Sequence, residues 1–210
     1  MHAGENVYLI YTIGHSTHTI EYFIELLKKH HIDTIIDVRS TPGSSFVPQF
    51  NKGILINTLK KNNINYRSFA DEFGARQKDN ELLDSDGKVD FEKLIKTKKF
   101  LSAIAQLQDL LNKEVRIALM CSEADPTECH RFSVLSHYLV RHNFCVKHIL
   151  KDGRLVENKY LEKELLEKFS KQLPRSSLFK QNIPIEELID FVYKQINKKL
   201  AYSTKQPYEY

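Results

Sequence analysis

Apolar and polar positions change period repeatedly along this 210-residue chain. The run Val7-Tyr-Leu-Ile-Tyr-Thr-Ile13 predicts a first strand. From Thr19 to His30 the apolar residues Ile20, Phe23, Ile24, Leu26 and Leu27 recur at helical spacing. Thr34 to Val38 reads as a second, buried strand, and Ile64 to Phe69 as a third. Between them a helix runs to about Asn62, with Asn51 as its cap. Phe91 to Leu111 has the pattern of one long amphipathic helix. Val115 to Met120 reads as a buried strand, Phe132 to Val140 as a helix and Phe144 to Leu150 as a strand. Asp152-Gly153 is a turn signal that folds Arg154 to Glu157 back as a hairpin. Arg39 to Gln49, with two prolines, a glycine and four hydroxyl residues, is a loop. Asp71 to Asp90 is polar and turn-rich and suits a mobile flap or insertion.

Strands alternating with helices predict an α/β fold: a mostly parallel sheet with helices on both faces, a Rossmann-like three-layer arrangement. From Lys159 the chain is helical and highly charged, broken at Pro174 and Pro184, and reads as a C-terminal helical appendage. The expected organisation is one domain, with a core over residues 1–157, packed helices over 158–200 and a disordered tail over 201–210.

Composition changes this picture little. Hydrophobic residues make up 41% and charged residues 28%, as in ordinary globular proteins. No apolar run approaches the roughly 20 residues of a membrane helix, and the first residues, Met-His-Ala-Gly-Glu-Asn, lack a signal pattern. Three cysteines suit a reducing cytoplasm better than a disulfide framework. The expectation is a cytoplasmic protein with no membrane partner. A net charge of +4 allows an anionic small molecule or a nucleic acid as partner without requiring either. Nothing in the composition names a cofactor or an oligomeric state.

The densest chemistry is Cys121-Ser-Glu-Ala-Asp-Pro-Thr-Glu-Cys-His-Arg131, between a predicted strand and a predicted helix. Asp125, Pro126 and Glu128 form a capping-box pattern. A helix starting there places Cys129 and His130 in its first turn or just after it, and in a first turn the helix dipole favours a thiolate. Cys121 and Cys129 then read as a redox pair, as sharers of a metal with His130, or as small core residues. Cys-x7-Cys-His is not a standard zinc spacing, and no metal is expected from it. Two other strand ends are polar: Gly14-His-Ser16 and Asp37-Val-Arg39. Adjacent ends of a parallel sheet converge on one edge. Candidate catalytic residues are therefore His15, Asp37, Cys121, Glu123, Cys129 and His130. Candidate binding residues are Ser16, Arg39, Ser44, Asn51, Tyr66 and Arg131.

These motifs resemble the family catalogued as domain of unknown function 488, over about Tyr8 to Gly153. The matching elements are Ile13-Gly-His-Ser16, Asp37-Val-Arg-Ser40, Pro42 with Ser44, Pro48-Gln-Phe-Asn51, Tyr66, Phe73-Gly74 with Arg76, Cys121 to Arg131, and His148-Ile149 before Asp152-Gly153. Gly74-Ala75 stands where the family often has Gly-Gly, and Phe46 where it often has a basic residue. The resemblance implies an α/β domain with these polar residues at one site and no agreed activity. A fainter likeness links Ile36-Asp-Val-Arg39 and Cys121 to rhodanese-type sulfurtransferases. Their glycine- and arginine-rich loop is replaced here by an acidic one.

Three functions follow as expectations. The first is an enzyme acting by acid/base chemistry on a phosphate-bearing, nucleotide-like or other anionic substrate, clamped by Arg39 and Arg131. The second is nucleic-acid binding or modification through lysine-rich segments near Tyr160, Phe169 and Tyr193. The third is thiol redox or sulfur transfer by Cys121 and Cys129.

Overall fold

The computed structural model describes residues 7–174 and 183–201. Six strands form one sheet: β1 (Tyr8–Gly14), β2 (Thr34–Asp37), β3 (Asn65–Ser68), β4 (Ile117–Cys121), β5 (Phe144–Ile149) and β6 (Leu155–Glu157). Their order is β3-β2-β4-β1-β5-β6. The first five run parallel, and β6 pairs antiparallel with β5. The helices are α1 (Ile20–Lys29), α2 (Lys52–Lys61), α3 (Ala70–Phe73), α4 (Phe91–Leu94), α5 (Lys98–Asn112), α6 (His137–Val140), α7 (Asn158–Lys168) and α8 (Ile185–Leu200).

Side-chain alternation along the strands builds two core layers, as period-2 geometry requires. Ile13, Ile35 and Met120 pack with Phe23 and Leu27 of α1 and with Leu55 and Leu59 of α2. Ile10, Ile36, Leu119 and Val146 pack on the opposite face with Phe100, Ala103 and Leu107 of α5 and with Leu139 of α6. The helices therefore lie on both faces, as the alternating pattern predicts. A third cluster joins α7 and α8 through Leu161, Leu165, Val192, Tyr193 and Ile196, with Phe132 beneath them. None of the described helices is long and apolar enough to cross a membrane.

Two local expectations are corrected. The helix expected over Phe91 to Leu111 is two helices. Thr97 ends the first piece and caps α5, its Oγ1 accepting the Phe100 N–H at 3.1 Å. Apolar spacing runs across this break and hides it. Asn51 does precede α2, but its side chain makes no cap bond. Its Oδ1 accepts the Ser44 N–H at 2.6 Å and ties down the loop after β2. The segment from Asp71 to Asp90 contains most of α3 and a β-bridge between Leu83 and Val89. Phe73 and Val89 lie in the core, so the segment is anchored near both ends. Of residues 201–210, expected as a disordered tail, all but Ala201 lie outside the described residues, as do 175–182.

Candidate active site at the C-terminal edge of the sheet

The strand order places β4 between β2 and β1, with Asp37 beside Met120 and Gly14 beside Cys121. All three polar strand ends thus meet at one edge, where chain reversal in strand order leaves a crevice in open α/β sheets. The pairing continues past the strands: His15 N–H donates to Cys121 O at 3.0 Å and Ser16 N–H to Ser122 O at 2.8 Å. Ser16 accepts a positive φ of 47° to do so. Gly14 is required by close approach. A Cβ there would collide with the Glu123 carbonyl oxygen and lie 2.7 Å from its carbon. Gly14→Ala is expected to destabilise the protein by about 1–3 kcal/mol, the range for forced overpacking, and to push residues 122–124 outward. Urea unfolding measures this; wild-type stability would show that the loop yields freely.

One half of the edge is a closed network. Asp37 is fully buried and Arg39 nearly so. Asp37 Oδ1 accepts Arg39 Nε at 2.9 Å, and Oδ2 accepts the Arg39 Nη2 at 2.7 Å and the Tyr66 hydroxyl at 2.8 Å. The Arg39 Nη1 donates to Phe50 O at 3.0 Å and faces His15 Nε2 at 3.1 Å. With Arg39 donating to Nε2, His15 Nδ1–H is left to donate to Ser16 O at 2.9 Å. The ring stacks on Phe50 at 4.3 Å. Burial, assisted by the Arg39 charge, lowers the His15 pKa to about 4, so this imidazole is neutral at pH 7. Burial together with Asp37 raises the Tyr66 phenol. These groups hold one another and the ends of β1, β2 and β3.

The other half is a sulfur–imidazole cluster. Asp125 accepts the Thr127 N–H and makes a single 3-10 turn, Pro126–Glu128, instead of starting the expected helix. Cys129 is extended, with φ −138° and ψ 144°. The next helix starts after it as a π-helical turn, Arg131–Ser136, which runs into α6. Cys129 stands one residue before His130, the N-cap of that helix: its carbonyl accepts Phe132 N–H at 3.0 Å and its Sγ accepts Arg131 N–H at 3.4 Å. Cys129 thus lies just after the turn at Pro126 and just before the later helix.

Four side chains converge here. Cys121 Sγ lies 3.1 Å from Glu123 Oε2 and 3.8 Å from His130 Nδ1. Cys129 Sγ lies 3.7 Å from the same nitrogen. His130 Nε2 faces Val38 O at 3.2 Å, so that nitrogen carries the proton and Nδ1 is turned to the sulfurs. Both thiols and His130 are buried, whereas Glu123 is exposed at the rim. Arg131 is fully buried. It grips the loop backbone through Glu123 O at 2.7 Å and Ala124 O at 3.2 Å. Burial alone would raise the Cys129 thiol, but the hydrogen bond from Cys121 and the nearby Arg131 and His130 outweigh it and hold Cys129 well below its ordinary range. The same hydrogen bond, with burial, drives Cys121 well up. Burial works against a charged His130, and the Cys129 sulfur overcomes it to raise the imidazole.

The structure thus gathers His15, Ser16, Asp37, Arg39 and Tyr66 into one network and Cys121, Glu123, Cys129, His130 and Arg131 into a second beside it. Ser44 and Asn51 pair with each other in the loop after β2. Three contributors were not singled out from sequence: the Val38 carbonyl, the Phe50 ring and Gly14 as a point of contact. Gly14 and Phe50 stand inside the quoted motifs, but no pattern marks a backbone carbonyl as an acceptor. In a separate cleft lined by Phe91, Leu101, His137, Arg141, Asp190 and Tyr193, Asp190 accepts from Arg141 at 2.6 Å and from His137 at 2.9 Å.

Fold and site together define an α/β protein with a buried thiol–imidazole centre at the C-terminal edge of a mostly parallel sheet. The chain belongs to the family described as Domain of unknown function DUF488, whose model matches residues 19–139. No curated protein and no solved structure matches it.

Proposed function

We propose that the protein is an enzyme whose reacting centre is formed by Cys121, Cys129 and His130, with exposed Glu123 as the group that exchanges protons with a substrate. The observation that carries this reading is the approach of both sulfurs to a single turned imidazole nitrogen, with the Glu123 carboxylate against the Cys121 sulfur. Packing alone does not require a histidine ring to hold its free nitrogen toward two thiols while its other nitrogen is anchored on Val38. Cysteine–histidine contact of this kind is the geometry that activates sulfur.

An anion clamp has less support. Arg39 donates to Asp37 and Phe50, and Arg131 to the backbone of Glu123 and Ala124. Nucleic-acid stacking also has less support, because Phe169 and Tyr193 are buried and of the three aromatics only Tyr160 is exposed.

The test is alkylation of the folded, metal-free protein at neutral pH with a small neutral reagent, with modified residues mapped by mass. Cys121 or Cys129 should be labelled, and His130→Ala should slow that labelling by about tenfold or more without altering Cys145. Two inert thiols in the folded state would refute a sulfur-based centre.

A further inference from the structure

We propose that Cys121, Cys129 and His130 are three ligands of one divalent transition-metal ion of the zinc type, with Glu123 beside Cys121. The inference rests on the reading of this cluster as the reacting centre and specifies what the sulfurs do there: they bind the metal.

Distances carry the first part of the argument. The ligand atoms of the three residues all lie within 4.8 Å of one another. Each sulfur is 3.7–3.8 Å from His130 Nδ1. A tetrahedral zinc ion with Zn–S of about 2.3 Å and Zn–N of about 2.0–2.1 Å has ligand–ligand edges of about 3.5–3.8 Å. Both sulfur–nitrogen edges of the cluster already match that tetrahedron, and the sulfurs lie within 4.8 Å of each other. Glu123 Oε2 lies beside Cys121 Sγ at 3.1 Å.

The surroundings supply the second part. A metal-bound histidine ordinarily donates its other ring N–H to a carbonyl or carboxylate, and His130 Nε2 does so to Val38 O. Metal-bound thiolates are stabilised by N–H donors, and the Arg131 N–H points at Cys129 Sγ. Charge is the third part. Arg131 is fully buried and forms no ion pair among the described residues, and its Nε has no hydrogen-bond partner. A buried guanidinium needs a negative counterpart. Two thiolates, a neutral imidazole and the Glu123 carboxylate around a dication leave a net charge of minus one, which Arg131 neutralises. Binding releases to solvent the protons that the thiols carry. Two sulfurs and a nitrogen favour zinc and its borderline neighbours over magnesium or calcium, which take oxygen ligands.

The test uses the full chain. Metal content is measured after purification without chelator. The chelator-treated, reduced protein is then titrated with cobalt(II) and with zinc(II). The expected result is one ion per chain and a cobalt spectrum with thiolate charge-transfer and tetrahedral bands. Cys121→Ser and Cys129→Ser should weaken binding by more than the roughly 10–100-fold lost when only an outer partner is changed, while Cys145→Ser binds as wild type. If a serine variant fails to fold, the wild-type cobalt spectrum decides alone. A wild-type protein that binds neither ion through sulfur overturns the proposal. If its thiols are still alkylated, the metal inference falls and the thiol–imidazole centre stands; if they are inert as well, both fall. An isolated Cys121–Cys129 disulfide that persists without metal under reducing conditions likewise overturns it.

Discussion

Asp37→Ala is expected to lower the unfolding free energy by about 3–5 kcal/mol, the cost of breaking a buried ion pair from one side. Domains of this kind are stable by about 5–15 kcal/mol, so the variant should sit close to the edge of folding. The reason is the number of groups that depend on one carboxylate. Asp37 accepts the Arg39 Nε and Nη2, the Arg39 backbone N–H at 3.1 Å and the Tyr66 hydroxyl. Alanine leaves the buried guanidinium with only Phe50 O and His15 Nε2, and leaves Tyr66 without its acceptor. Most of the penalty comes from the stranded charge, so removing that charge should recover part of it. The double variant Asp37→Ala with Arg39→Met should therefore be more stable than Asp37→Ala alone, a coupling that urea unfolding of all four proteins reads directly. Wild-type stability in Asp37→Ala would return Asp37 to the role of an acid/base group facing a substrate.

That network marks the limit of what the sequence shows. Asp37-Val-Arg39 at a strand end reads equally well as a pair facing a substrate and as a pair facing itself, because residues two apart on extended backbone lie on the same side. Which occurs depends on Tyr66 arriving from β3 and Phe50 from the following loop, and neither approach is written in local pattern. The sheet itself was legible. Ile35, Ile36, Ala118 and Leu119 are fully buried, and continuous apolar runs of this length are what central parallel strands require. The convergence of the Gly14, Asp37 and Cys121 ends was also foreseeable, since parallel strands put their C-terminal ends on one edge.

The thiol cluster was legible as a place and not as a geometry. A capping-box pattern at Asp125 predicts a helix start, yet Asp125 spends its carboxylate on a local turn, accepting from both the backbone and the hydroxyl of Thr127. The longer helix begins later, after Cys129 and His130. No side-chain cap marks that start, so no propensity rule finds it. The same turn brings Cys129 and His130 back over Cys121. Linear spacing between the two cysteines therefore says nothing about the distance between their sulfurs.

Acidification is expected to weaken the protein through His148, at the seam between the sheet and the C-terminal helices. His148 is fully buried on β5. Thr12 Oγ1 bonds its Nδ1 at 2.8 Å, and its Nε2–H donates to Asn158 Oδ1 at 3.0 Å. Asn158 in turn donates to Glu162 and to the Tyr193 hydroxyl. Burial lowers the His148 pKa from 6.5 to about 4. Between those values the unfolded chain takes up a proton that the folded chain refuses, so stability falls as pH drops from 6.5 toward 4 and the loss is complete below that. A shift of this size corresponds to about 3 kcal/mol. His15, lowered to about 4 as well, acts in the same direction, so His148→Gln should remove only part of the slope of stability against pH. Urea unfolding across this window compares the two proteins, and an identical slope would rule out His148 as a source of acid sensitivity. Should the glutamine variant not fold, titration of the His148 ring by NMR in the wild-type protein gives the same answer: a midpoint near 6.5 refutes the assignment. Because Asn158 opens α7 and Tyr193 belongs to α8, the hydrogen bonds first strained by a charged His148 are those joining the C-terminal helices to the sheet. Hydrogen exchange at pH 5 should therefore quicken in α7 and α8 before it quickens in β1 or β4.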